Sequence, residues 1–355
     1  MEILDKVLMK GNEAIAEAAI MAGCRHFFGY PITPQTELAA YMARRMPKIG
    51  GTYLQAESEI AAINMVIGAA ASGVRAMTSS SSPGVALKSE GLSYLAGCDL
   101  PAVIVNVQRG GPGLGGIQPS QADYFMATRG GGHGDFHMIV LAPASIQEML
   151  DSTIRAFDLA DKYRMTVMLL ADGILGQMME PVQLSIVNCQ LSIDKPWAAT
   201  GTGGVRSRNV INSLYLQPED LEEKNVTRFQ KYAVVSEKEA GAELYRVEDA
   251  DVVIVAYGAC ARVAKNAVDL ARVRGVAAGL IRPVTLWPFP KKALADAAEH
   301  VGAFISVEMS MGQMIEDVEL SIRCRRPVTL CGRTGGMVPT PEQILASIEK
   351  AGEAL

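Results

Sequence analysis

Thr33, Glu59 and Arg109 are the side chains whose types and settings in this sequence best suit chemistry. Each follows a short run typical of a buried strand, and these runs are His26–Phe28, Tyr53–Gln55 and Ala102–Asn106. In an open parallel sheet, ligands bind at the carboxyl ends of the strands. A hydroxyl, a carboxylate and a guanidinium at that edge are suited to binding a polar substrate and moving protons.

Thr33 lies in the loop Gly29-Tyr30-Pro31-Ile32-Thr33-Pro34, directly after a predicted strand. Its two prolines restrict the backbone and prevent further ladder hydrogen bonds, so the strand must end there. A stiff loop would hold the Thr33 hydroxyl at a defined point over the sheet edge. A turn that is merely stiffened by proline is the other interpretation of the same pattern.

Glu59 begins a predicted helix, Glu59–Ala71, and Ser58 is a good N-cap for it. A glutamate in the first turn interacts favourably with the helix dipole, and this alone would explain the residue. The helix is, however, apolar on almost every face, which predicts that it is buried. A carboxyl at the mouth of a buried helix is a candidate functional group, so both interpretations stay open.

Arg109 precedes a glycine-rich stretch in which Gly111, Gly113 and Gly116 satisfy the dinucleotide pattern G-x-G-x-x-G. That pattern requires a helix to begin at once, whereas Ile117-Gln118-Pro119-Ser120 follows here. The sequence therefore favours a loop that carries Arg109 at a strand end. A guanidinium in that place suits bidentate binding of a substrate carboxylate.

Other polar clusters are weaker candidates. The serines 79–82 are suited to cradling a phosphate or the polar edge of a cofactor, or to capping a helix that starts at Pro83. His133 and His137 follow three glycines in a predicted loop, so no helix face aligns them for a metal. Six scattered cysteines form no C-x-x-C pair, which excludes a recognisable zinc or iron–sulfur motif.

The composition is that of a globular protein with 49% hydrophobic and 20% charged residues. A formal net charge of −5 gives no basic face for nucleic acid. The apolar runs are too short to span a membrane, and the N-terminus has no signal-peptide pattern. We therefore expect a cytoplasmic protein with neither nucleic acid nor membrane as a partner.

Strand-like and helix-like segments alternate along residues 1–185, which predicts an α/β domain with a parallel sheet covered by helices on both faces. Residues 186–238 lose this period and are interpreted as an extended arm between domains. Alternation resumes over residues 239–355 and predicts a second, smaller α/β domain.

Five motifs in order resemble the alpha-type subunit of the 2-oxoacid:ferredoxin oxidoreductases: GYPITP, QAESEIAAINMVIGAAASG, TSSSSPG, VNVQRGGPGLGG and ADGILGQMMEPV. The segments IRPVTLWPFP and VEMSMGQM are similar to the transketolase C-terminal-like domain of the same family. The resemblance covers almost the whole chain. It implies a pyrimidine-binding thiamine diphosphate domain followed by that second domain.

The resemblance implies that Glu59 bonds the aminopyrimidine ring nitrogen of thiamine diphosphate, and that Thr33 and Arg109 bind the substrate carboxylate. Cofactor contacts are expected from four further residues: Tyr30, Pro31, Ser81 and Ser82. The expected reaction is oxidative decarboxylation of a 2-oxoacid with coenzyme A, giving acyl-CoA, carbon dioxide and reduced ferredoxin. The continuation GLGGIQPSQADYF resembles the branched-chain (2-oxoisovalerate) type.

The sequence lacks the G-D-G motif and asparagine pair that bind the diphosphate and Mg²⁺ in this family, and Ala171-Asp172-Gly173 is read as a strand-to-turn junction. The resemblance therefore implies a beta-type partner with that half-site. It also implies ferredoxin-like and gamma-type subunits, and it places Mg²⁺ and the iron–sulfur clusters on partner subunits, so this chain would hold no metal. A 2-oxoglutarate or pyruvate enzyme, a non-catalytic binding or regulatory subunit, and a nicotinamide dehydrogenase are the alternatives.

Overall fold

The computed structural model describes residues 6–184 and 194–355. The strands are β1 (Lys6–Lys10), β2 (His26–Gly29), β3 (Thr52–Gln55), β4 (Ala76–Ser80), β5 (Ala102–Gln108), β6 (Ile139–Leu141), β7 (Thr166–Asp172), β8 (Met179–Gln183), β9 (Ala242–Tyr245), β10 (Val252–Ala256), β11 (Ala278–Pro283), β12 (Thr285–Trp287), β13 (Ala303–Glu308) and β14 (Val328–Gly332). The helices are α1 (Gly11–Met21), α2 (Thr36–Arg45), α3 (Glu59–Ala71), α4 (Ser82–Ala86), α5 (Ser89–Gly97), α6 (Tyr124–Thr128), α7 (Ile146–Tyr163), α8 (Gly173–Gln177), α9 (Pro218–Glu239), α10 (Gly258–Val273), α11 (Lys291–Ala297), α12 (Met314–Ser321) and α13 (Pro341–Glu353), with a 3₁₀ turn at Met46–Ile49.

The larger sheet has seven strands in the order β12-β6-β7-β5-β4-β2-β3, and only the edge strand β12 runs antiparallel to its neighbour. Every residue of β4, β5 and β7 is buried, so the centre of the sheet is covered on both faces. Helices α1, α2 and α7 pack together as one group, and α3 and α5 pack together as another. The α/β fold predicted from the alternation is confirmed.

Local sequence explains where the helices begin. The Ser58 hydroxyl accepts a hydrogen bond from the Ala61 N–H at 3.2 Å, which confirms Ser58 as the N-cap of α3. The prediction of one helix from Pro83 onward, capped by Ser82, was wrong. Two short helices occupy that stretch, and Ser82 is already helical with a positive φ of 23°. Its hydroxyl bonds Asp123 instead of capping the helix.

The smaller sheet has five strands in the order β14-β13-β10-β11-β9, with only β9 antiparallel. Two features join the second half of the chain, which forms this sheet, to the larger sheet. Strand β12 comes from the second half of the chain but pairs with β6 of the seven-stranded sheet. The Asp172 carboxylate accepts from the Leu175 N–H of α8 at 3.1 Å and from the Ala259 N–H of α10 at 2.8 Å.

The prediction of an irregular arm over residues 186–238 was wrong at its carboxyl end, where α9 runs from Pro218 to Glu239. Residues 186–193 of that predicted arm lie outside the described residues. Residues 194–217 form no helix or strand. Across the two described ranges, no helix is both long and apolar enough to cross a membrane.

Candidate active site

The carboxyl ends of β2, β3, β4 and β5 lie at one edge of the larger sheet, and Thr33, Glu59, Ser82 and Arg109 follow them in that order. The Arg109 N–H donates to the Ser82 hydroxyl at 2.9 Å, and that hydroxyl lies 3.2 Å from the Arg109 carbonyl. The Arg109 guanidinium reaches the Thr33 carbonyl at 3.0 Å. The structure therefore brings Thr33, Ser82 and Arg109 into one contact set.

Arg109 is buried, being 9% exposed, and its guanidinium binds backbone only within the described ranges. One nitrogen donates to the Thr33 carbonyl and another to the Leu114 carbonyl at 3.3 Å. Its Nε has no hydrogen-bond partner in the part of the chain that the structure describes. The cation thus has no protein carboxylate as a partner there, which leaves its charge for an anionic ligand.

Glu59 is 5% exposed and is the first residue of α3. Among the described residues its carboxylate makes no hydrogen bond, so it is an available acceptor at the sheet edge. Gly84 of α4 comes very close to it, since a Cβ added at Gly84 would lie 2.5 Å from Glu59 Oε1 and would also collide with Ser80 Oγ. The glycine is what allows α4 to lie directly against this carboxylate.

The serines after β4 lie in two different environments. The hydroxyls of Ser80 and Ser81 are buried without a partner among the described residues. The Ser82 hydroxyl donates to Asp123 at 2.6 Å, and the Ser82 N–H donates to the Asn106 side-chain oxygen at 3.1 Å. Burial raises the pKa of Asp123, although the Ser82 and Asn106 hydrogen bonds oppose this.

Tyr30 and Pro31 are exposed at the mouth of the site, as is Thr33. The buried Gln35 holds this loop from beneath, because its amide nitrogen lies 3.3 Å from the Tyr30 carbonyl. The Ser79 hydroxyl donates to the Gln35 side-chain oxygen at 2.6 Å. A stiff loop over the sheet edge, as predicted from its two prolines, is therefore also tied to β4 by side-chain hydrogen bonds.

Two family models match the chain, one described as pyruvate flavodoxin/ferredoxin oxidoreductase, thiamine diphosphate-binding, over residues 17–240. The other is described as pyruvate:ferredoxin oxidoreductase core domain II and matches residues 250–344. The chain belongs to this oxidoreductase family. The match confirms the resemblance inferred from the five sequence motifs, and the first matched domain is a thiamine diphosphate-binding one.

Curated relatives of this oxidoreductase subunit cover nearly its full length. The ketoisovalerate oxidoreductase subunit VorB of Methanothermobacter marburgensis is 51% identical over 98% of both chains. The 2-oxoglutarate synthase subunit KorA of Methanothermobacter thermautotrophicus is 38% identical over 98% of this chain and 99% of its own.

Solved structures show the same fold. The 2-oxoglutarate:ferredoxin oxidoreductase from Magnetococcus marinus, with 2-oxoglutarate, coenzyme A and succinyl-CoA bound, matches with a TM-score of 0.87 and 30% identity. The match covers 99% of the subunit, which spans 66% of that solved chain. An inactive β4 tetramer of a split-gene transketolase matches with a TM-score of 0.61 and 14% identity, a likeness of fold alone.

Sequence reasoning missed Lys88, Asn106 and Asp123 at this site. Asn106 and Asp123 meet through a 2.9 Å hydrogen bond although they are distant in sequence. Lys88 lies in the segment predicted as one continuous helix, where a lysine is ordinarily a solvent-facing residue. The available signal was the presence of two polar residues, Asn106 and Gln108, in a buried and otherwise apolar strand.

The two histidines considered for a metal have other environments. His133 contacts Ser93, and His137 stacks on Trp287 with ring centroids 4.6 Å apart. Over the residues described here, no cluster of three or more His, Cys, Asp or Glu side chains is arranged to hold a metal ion.

Proposed function

We propose that this chain supplies the pyrimidine-binding half of a thiamine diphosphate site in a branched-chain 2-oxoacid:ferredoxin oxidoreductase. The proposed substrate is 2-oxoisovalerate, and the products are acyl-CoA, carbon dioxide and reduced ferredoxin. The observation that supports the proposal is that two buried charged groups lack partners of opposite charge at this end of the sheet. The Glu59 carboxylate makes no hydrogen bond, and the Arg109 guanidinium binds only the Thr33 and Leu114 carbonyls among the described residues. The full-length similarity to a ketoisovalerate oxidoreductase subunit supports the choice of substrate.

The residues around Glu59 fit a thiamine pyrimidine ring. The carboxylate is available to a ring nitrogen, and the Ser80 and Ser81 hydroxyls are buried polar groups that need partners. We assign Glu59, Tyr30, Pro31, Ser81 and Ser82 to the cofactor. Thiamine diphosphate supplies the carbanion chemistry that decarboxylation of a 2-oxoacid needs. The part of Glu59 is to hold a proton at the ring nitrogen, in a setting that excludes most water.

Thr33 and Arg109 are proposed to bind the substrate carboxylate. The Thr33 side chain is exposed at the mouth, and its carbonyl fixes the Arg109 guanidinium at 3.0 Å. Two guanidinium contacts to backbone orient the cation before any substrate arrives. A preorganised cation binds a carboxylate with a smaller loss of side-chain entropy.

Partner subunits are proposed to supply what this chain lacks. The diphosphate and Mg²⁺ half-site is assigned to a beta-type subunit, since the sequence has no G-D-G motif. Iron–sulfur clusters are assigned to ferredoxin-like and gamma-type subunits, since no cysteine pair is spaced for one. Coenzyme A and ferredoxin are the expected co-substrates. Cytoplasmic location stays a prediction.

A 2-oxoglutarate oxidoreductase is the second candidate. It is favoured by the 38% identity to a 2-oxoglutarate synthase subunit and by the fold shared with a 2-oxoglutarate:ferredoxin oxidoreductase. The chemistry assigned to Glu59 is the same in both, and only the pocket for the 2-oxoacid side chain differs.

A substrate panel on the complex recovered through this chain tests the proposal. Under anaerobic conditions, coenzyme A-dependent reduction of an artificial electron acceptor is followed with 2-oxoisovalerate, 2-oxoglutarate and pyruvate. We expect the highest kcat/KM with 2-oxoisovalerate. Preference for another oxoacid would move the assignment to that substrate. No reduction with any of them, in a complex that contains thiamine diphosphate and iron–sulfur clusters, would contradict an enzymatic role.

A further inference from the structure

Lys88 is a buried cation beside the candidate site that the proposed chemistry does not use. It lies between α4 and α5 and is 0% exposed, and it is the one buried lysine in the described ranges. Its Nζ lies 3.4 Å from the Glu59 carbonyl, which is long for a hydrogen bond. Within those ranges the ammonium has no other hydrogen bond and no ion pair.

A buried ammonium without a full set of hydrogen bonds is energetically unfavourable. It carries three donors, and burial without full pairing disfavours the charged form. Burial lowers the pKa of Lys88 to about 8, and the charge of Glu59 opposes this by favouring the protonated form. At neutral pH the side chain is therefore mostly a cation, and the charge that stabilises it is that of Glu59.

The other carboxylates on neighbouring elements are occupied elsewhere. Glu90 of α5 accepts from the Tyr94 hydroxyl at 2.6 Å on the protein surface. Asp123 accepts from Ser82 and Asn106. Neither forms an ion pair with Lys88, so Glu59 on α3 is the charged group that faces it.

We propose that Lys88 is a positioning residue for Glu59, holding the first turn of α3 through the Glu59 carbonyl and placing a positive charge near that residue. The role rests on the proposed function and deepens it. With its carbonyl held by Lys88, the first turn of α3 would keep the Glu59 carboxylate in place for the cofactor. Loss of that cation would weaken cofactor binding without removing any group that touches the cofactor.

The sign of the pH effect follows from Lys88 itself. Below pH 8 the ammonium is present and the positioning charge exists, whereas above pH 8 the amine becomes neutral and the charge is lost. The affinity for thiamine diphosphate should therefore fall as the pH rises through about 8.

Lys88→Met and Lys88→Gln in the assembled complex test the proposal. Lys88→Met removes donor and charge in a similar volume, and Lys88→Gln keeps a donor without charge. The matched control is Lys231→Met on α9, where a partly buried lysine is paired with Asp99 at 2.7 Å, away from the site. Thiamine diphosphate affinity is measured by calorimetry on cofactor-depleted complex between pH 6.5 and 9.5, alongside kcat.

We expect Lys88→Met to bind thiamine diphosphate at least about tenfold more weakly at pH 7, the range for losing a hydrogen bond to a charged group. Its affinity should not fall further near pH 8, whereas the wild type and Lys231→Met should. Lys88→Gln should be intermediate in affinity and equally insensitive to pH. If Lys88→Met fails to assemble, Lys88→Gln alone carries the same test.

Wild-type affinity and pH dependence in both Lys88 variants would overturn the role of Lys88 while leaving the proposed function intact. A wild-type complex that binds no thiamine diphosphate would contradict the proposed function and the role of Lys88 together. The two failures are thus distinguishable from one data set.

Discussion

At the residue scale, the close approach of Gly84 to the Ser80 hydroxyl and the Glu59 carboxylate is a strong constraint on the candidate site. A Cβ at this position would lie 2.5 Å from Glu59 Oε1, and no glycine flexibility is involved because the position is helical. Because Gly84 has no side chain, the Glu59 carboxylate has room at the sheet edge.

Gly84→Ala is expected to displace Glu59 and to lower kcat with 2-oxoacid at least about tenfold, since misplacement of a catalytic group by even 1 Å is costly. Gly68→Ala on α3 is the matched control, because a Cβ there meets nothing within 4 Å. That control should keep activity and stabilise the chain by about 0.5–1 kcal/mol in thermal denaturation. Full activity of Gly84→Ala would show that Glu59 is not confined as described.

Arg109→Lys is expected to raise KM for the 2-oxoacid about 10–100-fold, since lysine cannot keep the planar fork that binds two carbonyls and a carboxylate. Steady-state kinetics on the assembled complex measure this effect. Arg44→Lys on α2 is the control, since its side chain is 62% exposed and pairs only loosely with Glu13 at 3.8 Å. An unchanged KM in Arg109→Lys would remove Arg109 from substrate binding.

At the element scale, Asp172 joins two helices that follow strands of different sheets. Helix α8 follows β7 of the larger sheet, and α10 follows β10 of the smaller one. Its carboxylate serves the first turns of α8 and α10, and Gly258 must lack a side chain because a Cβ would lie 2.7 Å from Asp172 Oδ2. Helix N-termini favour a negative charge at this position, which helps to explain a fully buried aspartate.

Asp172→Ala is expected to reduce the free energy of unfolding by about 2 kcal/mol, since two helix N-termini lose their acceptor. Chemical denaturation of the purified subunit measures it. Asp151→Ala, on the exposed face of α7, should change the same quantity by no more than about 0.5 kcal/mol. Equal stability of the two variants would mean that Asp172 does not join the helices.

The strands and helices of the larger sheet were predictable because their apolar runs are long and regular. Helix Glu59–Ala71 was predicted with the bounds that the structure has, and the strands predicted at His26–Phe28 and Tyr53–Gln55 differ from β2 and β3 by one residue each. Helix α9 was missed because charged residues interrupt its apolar pattern, although its buried residues Arg228, Tyr232, Val235 and Glu239 recur at helical spacing. Strand β12 was missed because three residues carry too little pattern for any period.

The sequence predicted only those site residues that directly follow a strand along the chain. Thr33, Glu59 and Arg109 each follow a strand, so their convergence at one edge could be inferred from the fold. Lys88 and Asp123 could not, since their burial depends on tertiary contacts that no local pattern encodes. The Ser82 hydroxyl likewise binds Asp123, whereas the sequence had predicted that it caps a helix.

At the scale of the whole molecule, the second half of the chain holds the segment that follows the Arg109 loop. Gln121 donates from its backbone to the Met309 carbonyl at 2.9 Å and from its side chain to the Tyr257 carbonyl at 2.9 Å. The Tyr124 hydroxyl donates to Asp317 at 2.6 Å. These contacts fix the segment that carries Asp123, so the second half of the chain helps to position the site.

The most direct test of the account is Glu59→Gln in the assembled complex, with Glu57→Gln as the control. The glutamine keeps the shape of Glu59 but cannot hold a proton at a ring nitrogen as a carboxylate does, whereas Glu57 is exposed. Coenzyme A-dependent acceptor reduction with 2-oxoisovalerate should fall about 10²–10⁴-fold in Glu59→Gln and stay at the wild-type rate in Glu57→Gln. Equal, wild-type rates in both variants would contradict the central claim that this chain carries the pyrimidine half of the active site.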